Sequence, residues 1–80
     1  MRIIIARTSG CILDFEITYA TWFKSGGNKR FGWQRPGMKT GISFTEDYIN
    51  RRFTRIFVID AASNLCWEAF RKSQIGEDNA

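Results

Sequence analysis

The 80-residue chain contains no histidine. Histidine is the commonest general base, a member of the serine and cysteine triads and a frequent zinc ligand, so its absence removes the ordinary forms of all three chemistries. Cysteine is scarce: Cys11 and Cys66 stand far apart and match no metal-ligand spacing. A disulfide-dense secreted scaffold carries more, so the two read as reduced thiols of an intracellular protein, Cys11 as a small buried or half-buried side chain. Long apolar runs are missing too. The N-terminal run stops after Ile3–Ala6, too short for a signal-peptide core or a membrane span. The expectation is a soluble, cytoplasmic chain with no membrane partner and no cofactor.

Nucleotide-binding motifs are also lacking. Gly37-Met38-Lys39-Thr40 approaches the end of a phosphate-binding loop, but Met38 occupies the place where glycine must precede the lysine. The chain is also too short for the parallel sheet such a loop needs.

What the sequence has is an uneven charge. Lys24 to Arg55 holds eight basic residues against Glu46 and Asp47, a balance of +6, while the remainder holds four against six, or −2. A region of this kind attracts acidic surfaces, whether carboxylate or phosphate. Within it, Phe23–Gly41 has five basic residues, five glycines, Phe23, Phe31 and Trp33, and no acid. One reading makes it a solvated linker. Linkers are poor in large aromatics, however, so Phe31, Trp33 and Met38 either fold back on a sheet or await a partner. An intermediate form has Arg35-Pro36-Gly37 as a tight turn and Phe31–Trp33 as an extra strand.

The flanking segments predict an α+β domain over residues 1–76, with 77–80 frayed. In Cys11–Thr21, Leu13, Phe15, Ile17 and Tyr19 alternate with polar positions, the period of a strand with one wet face. Arg2–Thr8 supplies its hairpin partner and Ser9-Gly10 the turn. A short helix follows the basic segment, capped by Ser43 (with Glu46 in a capping box) or by Thr45, and buries Tyr48, Ile49 and Phe53. Arg55–Asp60 reads as a central strand. Leu65–Phe70 returns as a fourth strand, or Ser63 caps a second helix running to Ser73; both remain open. Either way the sheet is mostly antiparallel, an N-terminal hairpin plus one or two C-terminal strands, with the short helix packed on it.

The candidate binding residues are Lys24, Lys29, Arg30, Phe31, Trp33, Arg35, Met38, Lys39, Arg51, Arg52 and Arg55. As a protein-docking surface they combine apolar area with guanidinium groups, the composition of interface hot spots, and imply a non-catalytic inhibitor or adaptor gripping an acidic protein or nucleoprotein complex. Small motif-free chains of this type are often encoded by phages and mobile elements, where they block host nucleic-acid-targeting defence machinery. The alternative partner is RNA or single-stranded DNA, with bases stacked on Phe31 and Trp33. A third reading needs no histidine: a ribonuclease-type toxin assembled from Tyr19, Tyr48, Arg51, Arg52 and Arg55. Asp14 and Glu16, two apart on one strand, read as its wet side rather than as a catalytic pair.

Overall fold

Side-chain alternation sets the first pairing. In β1 (Arg2–Arg7) Ile3 and Ile5 face inward, opposite Phe15 and Leu13 of β2 (Ile12–Glu16). Thr8-Ser9-Gly10 closes the hairpin: the Gly10 N–H donates to the Arg7 carbonyl, and Gly10 has φ 95°, the left-handed residue that ends a three-residue loop. The computed structural model describes residues 1–72. The frayed segment expected at 77–80 lies outside the described residues.

The strand expected over Cys11–Thr21 is broken in two. The Ile17 N–H still bonds to Met1 of the first sheet, but the Thr18 N–H donates to the Gln34 carbonyl of a second one. Ile17, 2% exposed, fills the corner. Crossing between sheets resets the alternation, so Tyr19, which the period of β2 assigns to the apolar face, emerges 45% exposed.

The basic segment is folded, not a linker. It forms β3 (Tyr19–Ser25) and β4 (Asn28–Gln34), and it leads into β5 (Ile42–Thr45). Gly26 and Gly27, with φ of 60° and 83°, make a two-residue turn whose twist matches the paired strands. Register places Trp22 opposite Phe31 and Ala20 opposite Trp33. The Met38 N–H bonds to the Arg35 carbonyl, with Pro36 and a left-handed Gly37 between them, so the tight turn considered from sequence is present as a type II turn.

Helix α1 (Glu46–Arg52) follows directly. Thr45 is its cap, its hydroxyl accepting the Tyr48 N–H at 3.2 Å; Ser43 is inside β5, so no Ser43–Glu46 box forms. Acids in the first turn and arginines in the last suit the helix dipole. Strand β6 (Phe53–Asp60) begins at once, and β7 (Leu65–Arg71) returns antiparallel to it, which resolves the strand-or-helix alternative in favour of the strand. Asn64, at φ 56°, ends the turn.

The α+β class and the antiparallel pairing are as expected, but there are two sheets, ordered β2-β1-β6-β7 and β3-β4-β5. Strand β4 runs across the larger sheet. Phe31 lies 6.5 Å from Trp67 of β7, while Trp33, two residues on, lies 6.3 Å from Phe15 of β2, at the opposite edge. The interior between them is built on Ile3, Ile5, Phe31, Ile49, Ile56 and Val58, each at most 1% exposed. Among the described residues no helix is long and apolar enough to cross a membrane.

Candidate docking groove between the sheets

The two sheets are clasped along one side and part along the other. On the clasped side the Trp22 indole N–H of β3 donates to the Ala69 carbonyl of β7 at 3.0 Å. A bulge leaves that carbonyl available: the register steps from Ile56↔Phe70 to Phe57↔Glu68, so Ala69 has no opposite residue. On the open side, β2 and β5 are the outer strands of their sheets. Two adjoining hollows of about 280 and 440 Å³ lie there, sharing Phe15, Trp33 and Ile42 as walls.

Four rings run along the groove. Phe15 and Trp33 have centroids 6.3 Å apart, Trp33 and Phe44 5.6 Å, and Phe44 and Tyr48 4.8 Å in a stack tilted by 10°. An arginine closes each end: the Arg35 guanidinium sits 4.7 Å from the Phe15 centroid, and that of Arg52 5.2 Å from Tyr48. Local sequence explains the arrangement. Phe44, the last residue before the Thr45 cap, is four residues ahead of Tyr48, and Arg52 lies one further turn along the helix, where i,i+4 side chains meet. Arg7 lines the smaller hollow and Met38 the larger. Among the described residues no carboxylate lines either one. Met38 and Ile42, 58% and 49% exposed, leave apolar surface at the mouth.

The structure divides the expected binding residues. Phe31 and Trp33 are core side chains, 0% and 5% exposed, which corrects their assignment as free stacking surfaces. Alternate residues of β4 share a face, and that face packs on the larger sheet: Phe31 meets Trp22 at 5.1 Å, and Trp33 gives the groove only its wall. Arg30 is half-buried and occupied, its Nε donating to Ser43 Oγ at 3.0 Å and its Nη2 to the Ser43 carbonyl at 3.1 Å. Lys29 lies over the Trp22 ring with Glu46 at 3.8 Å, and Arg51 pairs with Asp47 at 3.6 Å along the helix. Arg55 is on a different surface from Arg51 and Arg52. Strand alternation turns it away from Ile56 to the outer face of the larger sheet, where it bonds to Glu68 and lies over Phe57. Lys24, Arg35, Lys39 and Arg52 make no ion pair among the described residues.

The ribonuclease-type grouping is not assembled. Tyr19 is on the outer face of the smaller sheet, Tyr48 stands in the groove, and Arg55 is across the larger sheet. Asp14 and Glu16 share the outer face of β2 as their spacing implies. Asp14 accepts from Nε and Nη2 of Arg2, and this hydrogen bond, reinforced by charge, holds Arg2 above its ordinary pKa. Cys11 is exposed rather than buried, since it stands just before the outer strand β2 at the hairpin end; Cys66, near the turn on the outer strand β7, is exposed as well.

Sequence reasoning missed Phe15, Phe44, Arg7 and Ile42 as groove residues. The i,i+4 steps Phe44–Tyr48–Arg52 were a usable signal; the position of β2 at a sheet edge has no local signature. It named Tyr19 and Phe23 but not as neighbouring rings on the outside of the smaller sheet, where they are 45% and 40% exposed and lean over Gly41 and Gly32. A Cβ at Gly32 would stand 3.1 Å from the Phe23 ring, and one at Gly41 3.0 Å from the Tyr19 hydroxyl. Compared with protein-family models, with curated proteins and with solved structures, the chain matches none.

Proposed function

We infer that the protein is a non-catalytic binding domain that docks on the acidic surface of a protein or nucleoprotein complex. The supporting observation is the line of four rings capped by Arg35 and Arg52, beside an apolar hollow that no carboxylate lines among the described residues. Aromatic area next to planar cations is what interface hot spots are made of. Arg35 and Arg52, with Lys24 and Lys39, supply charge that the described part of the chain does not neutralise itself, and this favours encounter with an acidic partner. Capture experiments with and without nuclease test the reading. The partner should stay bound after nuclease treatment and be lost with the double variant Arg35→Glu, Arg52→Glu. Release by nuclease, or equal capture by the variant, overturns it.

A second reading is carried by Tyr19 and Phe23, two exposed rings on one face of β3 on which bases of a single strand stack. It requires affinity for generic oligonucleotides that falls about a thousandfold between about 50 and 200 mM salt. The double variant Tyr19→Ala, Phe23→Ala removes that affinity if the reading holds.

A further inference from the structure

Among the described residues the outer edge of β2 is unpaired. The Arg7 N–H donates to the Cys11 carbonyl at 2.9 Å and the Ile17 N–H to the Met1 carbonyl at 2.8 Å. With the register of the hairpin, these bonds make Ile5–Leu13 and Ile3–Phe15 the hydrogen-bonded pairs. The N–H and C=O groups of Ile12, Asp14 and Glu16 therefore point away from β1, toward no other strand among the described residues. Between them, Leu13 and Phe15 turn their side chains into the groove. A free edge beside an unfilled apolar hollow is what strand-adding ligands use: backbone bonds supply affinity and pockets for alternate side chains supply specificity. Left open, the same edge invites unwanted pairing.

We propose that the edge of β2 accepts an extended segment of the partner protein as a fifth strand of the larger sheet, its alternate apolar side chains seated in the groove and its ends acidic. This rests on the docking reading above and gives it a mode. Cations mark both ends of the seat. Arg35 covers Phe15, and Arg7, opposite Cys11, lies beyond Leu13. Leu13 and Phe15 are about 7 Å apart at strand rise, so two inward side chains fit between the arginines, each with a hollow to enter. The added strand's outward residues would stand beside Asp14 and Glu16, where a third carboxylate is repelled. The recognised pattern is acidic, neutral, apolar, neutral, apolar, neutral, acidic.

The test titrates the full chain with the peptide Asp-Thr-Ile-Thr-Ile-Thr-Asp and follows amide exchange. Exchange should slow at Ile12, Asp14 and Glu16, and the signals of Phe15 and Ile42 should shift. A peptide with the two isoleucines adjacent, and one with lysine in place of both aspartates, should bind about tenfold or more weakly. Ile42→Glu, at an exposed position that tolerates charge, should weaken binding to a similar degree. Equal affinity for the control peptides, protection confined to other strands, or no binding at all overturns strand addition. If capture of the partner still depends on Arg35 and Arg52 while the β2 amides stay unprotected, docking stands and strand addition falls. If capture no longer depends on those arginines, both fall.

Discussion

Trp22 and Ala69 join the two sheets at the side away from the groove: the indole N–H of one strand donates, at 3.0 Å, to a carbonyl that a bulge in the other has released from its ladder. Trp22→Phe keeps an aromatic ring beside Phe31 but deletes the donor, together with part of the ring area on which Lys29 lies. The half-buried carbonyl then loses its partner, at about 1–2 kcal/mol. Urea unfolding should show a lower midpoint with an unchanged slope. An unchanged midpoint would mean that the bond contributes nothing to holding the sheets together.

Phe31→Ala and Trp33→Ala test whether these rings are core or contact surface. Both are buried between the sheets, so each truncation should cost roughly 3–5 kcal/mol. At roughly 0.05–0.15 kcal/mol per residue a chain of this length has about 4–12 kcal/mol to lose, so Phe31→Ala should unfold at a much lower temperature than wild type, followed by near-ultraviolet circular dichroism. Full stability in either variant would contradict the burial of that ring between the sheets.

The burial of Phe31 and Trp33 shows what could be read from the chain and what could not. The first hairpin and its Ser9-Gly10 turn, the Thr45 cap and the β6 strand announce themselves through local chemistry: a left-handed glycine, a side-chain oxygen, β-branched residues in series. The middle segment carried a hairpin signal as well, Gly26-Gly27 between Trp22 and Phe31 at alternate spacing. Charge and glycine content obscured it, because Lys24 and Lys29 occupy apolar-face positions next to the turn of the hairpin, where they still reach water. The break at Ile17–Thr18 has no turn residue to mark it. The groove was not legible at all, because it exists only where two edge strands from distant parts of the chain face each other, and edge status belongs to topology.

Asp60 gives a pH-dependent test of the β6–β7 turn. Its carboxylate accepts a hydrogen bond from the Ser63 hydroxyl, the main cause of a pKa below the ordinary 3.8; backbone N–H groups of Ser63 and Ala62 add to it, while slight burial opposes. A depressed folded value means that the stabilisation is complete above the unfolded value and is lost as pH falls through the folded one. Ser63→Ala should therefore be less stable than wild type at neutral pH, and the gap should close under acid conditions below 3.8. By NMR the Asp60 midpoint should rise in the variant. A midpoint that does not move would show that Ser63 is not its partner.

Arg30 and Arg35 separate a cation committed to the fold from one that makes no ion pair among the described residues. Five residues apart in the same basic segment, they are alike in composition but not in what they touch. The Arg30 fork grips the hydroxyl and carbonyl of Ser43 and so ties β4 to β5, whereas Arg35 lies over Phe15 at the groove's end with no carboxylate partner among the described residues. Lysine keeps the charge but not the planar two-point geometry. Arg30→Lys should cost about 1 kcal/mol of stability through the lost bonds and leave partner capture intact. Arg35→Glu should do the reverse, with an unfolding midpoint near wild type and weakened capture. If Arg30→Lys weakens capture as much as Arg35→Glu does, while both fold normally, the partner reads the basic segment as a whole and the groove has no privileged part in docking.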